Sequence, residues 1–160
     1  MKLPANPIRI TEIPSPDPDD LSLEFLVGRR MTVIDASAAP NGWVFRFDGS
    51  GTLGVECLWR LVSDERIVVT SEDHQQRFGL PAPIDASARA LQTIDAKPIR
   101  RARFDTTTGD LTIEFANDLR LEAIVTSGGY ENWALSKPDG TQLIAVGGGR
   151  VAFFRTSTAD

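Results

Sequence analysis

The sequence holds a single cysteine, Cys57, and a single histidine, His74. One cysteine excludes an intramolecular disulfide framework and fits a reducing compartment. The pair cannot supply the four ligands of a structural zinc site. No run approaches the ~20 apolar residues that cross a bilayer, and Met1-Lys2-Leu3-Pro4-Ala5-Asn6-Pro7 lacks the apolar stretch of a secretory signal. The expected address is cytoplasmic, with no membrane partner. Basic residues are also in short supply, 17 Lys and Arg against 22 Asp and Glu, for a net charge of −5. That balance argues against a nucleic-acid surface, whose affinity comes largely from Lys and Arg. It is compatible with a basic protein partner. No cofactor motif is present either. Gly147-Gly148-Gly149 is not followed by Gly-Lys-Ser/Thr or by a helical pattern, so it reads as a tight hairpin between 143–146 and 151–154, not a phosphate loop.

What remains is the composition of one globular domain: 160 residues, 41% hydrophobic and 24% charged. Residues 1–19 read as a disordered N-terminal arm, because Pro4, Pro7, Pro14, Pro16 and Pro18 remove backbone donors and fix φ. The other outcome for this stretch is docking of Ile8, Ile10 and Ile13 along a sheet edge. Residues 20–160 form the domain. A short helix is expected at 21–27, capped by Asp19 or Asp20 and stopped by Gly28. A second is expected at 86–95, capped by Asp85, with Ala88, Leu91 and Ile94 at helical spacing.

Elsewhere the period is two. Trp43, Phe45 and Phe47 alternate with polar or smaller residues, as do Leu53, Val55, Cys57, Trp59 and Leu61. Leu111, Ile113 and Phe115, then Leu119, Leu121, Ala123 and Val125, repeat the picture. Asn41-Gly42, Asp48-Gly49-Ser50-Gly51, Thr108-Gly109-Asp110 and Pro138-Asp139-Gly140 supply hairpin chemistry between the runs. About ten strands are expected.

The chain also resembles itself. Moved by 68 positions, Leu23 falls on Leu91, Leu26 on Ile94, Arg29 on Lys97, Trp43 on Leu111, Phe45 on Ile113 and Phe47 on Phe115. After a hairpin two residues shorter in the second copy, Leu53 and Val55 match Leu119 and Leu121. Trp59-Arg60-Leu61 then matches Trp133-Ala134-Leu135, so the second copy gains eight residues between. With the shift kept at 66 instead, Trp59 falls on Val125 and the insertion vanishes. The fold class expected is mainly β (α+β): a duplicated helix-plus-β-meander, with halves at about 21–79 and 84–155. These pack as a two-sheet sandwich or flattened barrel with two short helices.

Few residues invite chemistry. Cys57 and His74 could be a nucleophile and base, but Cys57 is in phase with Val55 and Trp59 and so faces the core. His74 sits in the polar run Ser71–Gln76, an exposed loop. Lys97, Arg100, Arg101 and Arg103 could grip an anion, but such a run more often guards an edge strand. Glu114 and Glu122 read as solvated. The most individual segment is 126–135, and in it Tyr130, Glu131 and Trp133 are the candidate binding residues. In strand phase Glu131 shares the apolar face of Trp133, where a carboxylate must find a partner or shift its pKa. An arginine such as Arg29 or Arg30 would be a structural partner, and a bound ligand or protein a functional one.

The segments Asp110-Leu-Thr-Ile-Glu-Phe and Gly129-Tyr-Glu-Asn-Trp-Ala-Leu, with the closing Gly-Gly-Gly strand, resemble a group of small uncharacterised bacterial domains common in actinomycetes. The Tyr-Glu-x-Trp element carries most of the likeness, which spans about 21–155. These domains resemble immunity proteins encoded beside polymorphic toxins. The chain departs from them in ending on Phe153-Phe154 where the group has a tryptophan. The resemblance implies a non-enzymatic protein-binding module that neutralises a toxin-like partner. The alternative reading is a small-molecule-binding β domain with a pocket near Glu131. Neither reading calls for a catalytic residue, a metal or a cofactor.

Overall fold

The structure, a computed structural model, describes residues 8–158. Expectations for residues 1–7 lie outside it. The strands are β1 (Ile8–Ile13), β2 (Met31–Asp35), β3 (Trp43–Phe47), β4 (Thr52–Val55), β5 (Leu58–Ser63), β6 (Arg66–Thr70), β7 (Arg101–Phe104), β8 (Leu111–Glu114), β9 (Arg120–Ile124), β10 (Trp133–Ser136), β11 (Gln142–Ala145) and β12 (Val151–Thr158). They form a seven-stranded antiparallel sheet, β1-β12-β11-β10-β4-β3-β2, and a five-stranded one, β6-β5-β9-β8-β7. Neither sheet closes on itself, so the sandwich and not the barrel is the architecture. Its core is built from the inner faces of both sheets. Trp43 and Phe45 of β3 meet Trp59 of β5 edge-on, with ring centroids 5.0 and 5.6 Å apart.

Three expectations change. Ile8–Ile13 is not part of a disordered arm but the edge strand β1, paired antiparallel with β12. This is the docking outcome that the isoleucines allowed. The helix expected at 21–27 is a single 3-10 turn, Glu24–Leu26. Neither Asp19 nor Asp20 caps it: the turn starts later, its N-cap position is Leu23, which has no side-chain cap, and Val27 is already extended. The second helix, α1 (Ala86–Ile94), is present and Asp85 caps it by accepting from the Ala88 amide; its buried stripe is Ala86, Ala90 and Ile94. Thirdly, residues 53–61 are not one strand. The chain leaves the seven-stranded sheet after Val55 and enters the five-stranded sheet at Leu58. The inward phase of Val55, Cys57 and Trp59 survives the crossing, which is why the alternation looked continuous.

The ladder registers display the repeat. Ile34↔Phe45 in the first half becomes Ala102↔Ile113 in the second, and Phe45↔Leu53 becomes Ile113↔Leu121, every residue 68 positions on. The β3–β4 and β8–β9 hairpins are therefore equal in length. Leu53 corresponds to Leu121, not Leu119, and the expected two-residue shortening is absent. Beyond the crossing the shift is 74, because Trp59↔Ala123 matches Trp133↔Val55 and Leu61↔Val69 matches Leu135↔Leu143. The second half thus gains six residues at its crossing, not eight.

Each sheet is a three-stranded meander from one half (β2–β4 or β7–β9) continued by a hairpin from the other (β10–β11 or β5–β6). Strands β1 and β12 extend one sheet and have no counterpart. The halves meet at equivalent residues, through an isolated bridge between Arg30 and Pro98. Smaller devices repeat as well. Arg29 Nε donates to the Phe25 carbonyl and Lys97 Nζ to that of Thr93, each satisfying a carbonyl that a helical turn leaves open. The ion pair Asp35–Arg46 recurs as Arg103–Glu114 with its charges exchanged.

Candidate functional site

The chain crosses between sheets twice, at equivalent places, and the two corners differ. At the second, Thr126–Asn132 form the inserted loop between β9 and β10. Asn132 is 98% buried and organises it. Its Oδ1 accepts from the amides of Thr126 and Ser127, at 3.0 and 3.2 Å, and its Nδ2 donates to the carbonyls of Ser127 and Tyr130. Ser127 Oγ in turn accepts from the amides of Gly129 and Tyr130. An asparagine amide can serve two donors and two acceptors at once, and here all four are used. The Gly147–Gly149 hairpin braces the loop from below. A Cβ on Gly147 would meet the backbone of Gly129 and Tyr130 at 3.0 Å, and one on Gly149 would sit 2.0 Å from the Thr107 carbonyl. Beneath them Trp133 is in the core, and its indole Nε1 donates to the Gly109 carbonyl at 2.8 Å. The Phe104 ring lies 6.1 Å from it. This corner is closed.

The predicted site residues therefore divide. Trp133 is core, as its match with Trp59 requires. Tyr130 is 82% exposed at the loop tip, and Glu131 is exposed beside it. Glu131 is not held on a buried apolar face: β10 begins only at Trp133, and Glu131 belongs to the exposed end of the loop. Arg29 and Arg30 are not its partners; their side chains are spent on the carbonyls of Phe25, Asp48 and Ala96. The hollow beside Glu131, shared with Gly54, Glu56, Trp133 and Ala134, measures about 80 Å³. That is well below the roughly 300 Å³ of a small-molecule site.

The first corner is open. The crossing between β4 and β5 is only Glu56–Cys57, and a cleft of about 660 Å³ lies beside it. Ala36, Ala39 and Pro40 of the β2–β3 loop form one wall, and Ser71, His74 and Gln75 after β6 form another. Counted on by the shifts of the repeat, Ala36 stands where the closed corner has Phe104. His74 and Gln75 stand where it has Gly148 and Gly149. A lost aromatic ring, six fewer inserted residues and a chain that swings away after β6 leave the space.

His74 is not in a free loop as expected. It ends the 3-10 turn Ser71–Asp73, which Thr70 and Asp73 hold through a reciprocal capping box. Its ring packs edge-on against Trp43 at 5.0 Å, and Nδ1 accepts from the Ala86 amide at the start of α1. Cys57 lines the same cleft and is buried, as its phase predicted. Burial first, then the carboxylates of Asp110 and Glu56, push its thiol up to about 12. The geometry thus brings the sequence's one thiol and one imidazole to one cleft, with the thiol protonated at neutral pH and one imidazole nitrogen already occupied. That arrangement can fill and hold space; it does not make an activated nucleophile.

Of the three buried polar residues that escaped the sequence, Thr141 is held by Asp139 in its own turn, and two concern the sheets and the loop. One is Asn132. The other is Glu122, expected to be solvated but only 9% exposed between Arg60 and Arg120. Burial raises its pKa, but the hydrogen bonds from Arg120 and Arg60 outweigh this and hold the carboxyl below its usual value. Glu114 is half-buried on the same outer face, and Arg101 and Arg103 lie on the edge strand β7, where guards were expected. Among the described residues no cluster of three His, Cys, Asp or Glu could hold a metal ion, and no helix is long and apolar enough to cross a membrane. No protein-family model, curated protein or solved structure matches the chain.

Proposed function

We propose that this protein is a non-enzymatic protein-binding module whose contact point is the loop at the closed corner. The observation that carries the reading is Tyr130. The sequence's only tyrosine is 82% exposed, yet its backbone amide and carbonyl are tied to Ser127 and Asn132. An exposed aromatic on a pre-ordered loop contributes large contact area at low entropic cost, the property that makes tyrosine common in binding hot spots. Glu131 beside it and the net charge of −5 favour a basic partner surface. The likeness to immunity proteins supports a toxin-like protein as that partner. The 80 Å³ hollow gives the alternative, a small molecule anchored at Glu131, no room.

The test is capture of partners from the source lysate by the wild type and by Tyr130→Ala. The variant should melt within a degree or two of the wild type, because Tyr130 covers no core. It should recover its partner at least tenfold less well, the loss of about 1.4 kcal/mol or more expected of a hot-spot aromatic. A variant that folds and recovers the same proteins at the same level contradicts the proposal.

A further inference from the structure

We propose that the protein forms a twofold-symmetric dimer in which each copy inserts Phe78, at the tip of the loop before α1, into the open corner of the other. The inference does not rest on Tyr130, which lies at the closed corner.

The loop 75–84 is ordered and holds its tip in solvent. Its base is closed by backbone bonds from the Gln75 amide to the Ile84 carbonyl and from the Ile84 amide to the Gln76 carbonyl, both 2.8 Å. At the tip the Leu80 amide donates to the Arg77 carbonyl. This closes a turn whose central residues, Phe78 and Gly79, have φ of 45° and 78°. Positive φ at both central positions suits Asn and Gly and disfavours a bulky side chain. Phe78 stands there all the same, and of the eight phenylalanines it alone is exposed, at 68%. Leu80 beside it is 45% exposed, and Pro81 and Pro83 stiffen the returning chain. A strained turn that holds two apolar side chains in solvent gains nothing for folding and marks a contact.

The receiving surface adjoins it. Gln75 and Gln76 line the open cleft, so Phe78 stands two residues beyond the cleft wall. A protrusion and a cleft that adjoin on one copy meet their counterparts across a twofold axis, and the contact closes at two copies. The shapes agree. At the closed corner the equivalent space holds a phenylalanine, Phe104, where the open corner has Ala36. Ala36, Ala39, Pro40 and Leu58 offer an apolar seat in a cleft of about 660 Å³. The charges agree as well. The charged residues of the cleft are Glu56 and Glu72, and that of the loop is Arg77. Arg77 Nη1 donates to the Pro81 carbonyl at 3.2 Å, and its remaining donors are open to a carboxylate on the second copy.

Sedimentation velocity of the full chain tests this. The wild type should pass from monomer to dimer with a Kd of about 100 μM or tighter. Phe78→Asn suits the turn, so it should melt no lower than the wild type, yet it should weaken the dimer about tenfold or more. Ala36→Phe, which copies Phe104, should weaken it as much in a protein that still melts cooperatively; if that variant does not fold, Phe78→Asn decides. Tyr130→Ala should dimerise like the wild type. In a mixture of labelled and unlabelled chains, the Phe78 ring should show an intermolecular NOE to the Ala36 methyl. The proposal is overturned if the wild type stays monomeric at about 1 mM. That holds also where the monomer uses Phe78 to bind phosphatidylcholine vesicles or a different protein. It is equally overturned if Phe78→Asn, or a folded Ala36→Phe protein, dimerises as tightly as the wild type.

Discussion

The two corners where the chain passes between sheets start from the same ladders and end differently. At one, Trp133 is sealed beneath an inserted loop, a triple-glycine turn and Phe104, with its indole donor paired. At the other, a cleft walled by Ala36, Ala39 and Pro40 opens beside the crossing, and the buried Trp59 has its donor unpaired. A duplicated fold has two equivalent places for such a corner. Closing one presents a hydrogen-bonded loop outside, while the other leaves a cleft of about 660 Å³. The difference lies in bulk and backbone freedom rather than in topology.

The largest expected effect tests the backbone part of that contrast. Gly149→Ala should destabilise the protein by about 3 kcal/mol or more in urea unfolding, since its φ is +87° and the new Cβ would sit 2.0 Å from the Thr107 carbonyl. The counterpart Gln75 already tolerates a φ of 64° in the open corner. Gln75→Gly should therefore leave stability within about 1 kcal/mol of the wild type. Equal losses at the two positions would break the comparison.

Next come the tryptophans. Trp133→Phe and Trp59→Phe remove the same volume from equivalent sites, but only the first breaks a buried hydrogen bond and leaves the Gly109 carbonyl without that donor. Trp133→Phe should cost about 1–2 kcal/mol more than Trp59→Phe. Thermal or urea unfolding of both variants would read the difference, and equal costs would mean that the Gly109 bond adds nothing.

The smallest effect concerns Cys57, whose counterpart in the closed corner is Val125. Burial and two carboxylates raise the folded thiol from 9.0 to about 12, so above pH 9 the unfolded chain loses a proton that the native protein keeps. The stabilisation is complete below pH 9 and is lost as the pH rises toward 12, about 1 kcal/mol of it by pH 10. Cys57→Val should lack this share of the alkaline loss. Parallel stability curves for the two proteins between pH 8 and 10 would mean that the thiol is not buried in the native state.

Much of the fold was legible. Period-two alternation placed the central strands, Asp85 marked the start of α1, and the 68-residue likeness captured the duplication and the Trp59–Trp133 match. The errors have physical causes. A slip of two residues leaves every side chain on its proper face, so alternation could not tell Leu119 from Leu121 as the counterpart of Leu53; only the ladder partner decides. The crossing at Glu56–Cys57 preserved phase and so looked like an unbroken strand. The prolines around Ile8–Ile13 argued against a strand, yet none falls within it, and the six residues between Pro7 and Pro14 suffice for an edge strand paired with β12. Of the candidate site, the segment 126–135 and its tyrosine stood out in the sequence, but not the exposure of Tyr130 at the loop tip. The cleft did not, because its walls come from 36–40, 56–58 and 71–76, and only the fold brings these segments together. The organising role of Asn132 was hidden in the unassigned position of the Tyr-Glu-x-Trp element.

The most direct test of the unequal corners uses the three tryptophans as reporters. Their indole N–H signals can be followed by NMR after transfer to heavy water. Trp133, paired beneath the closed corner, should exchange at least tenfold more slowly than Trp59 and Trp43, which are buried but unpaired beside the cleft. Exchange of all three at one rate, or loss of the Trp133 signal first, would contradict the account of one sealed corner and one open one.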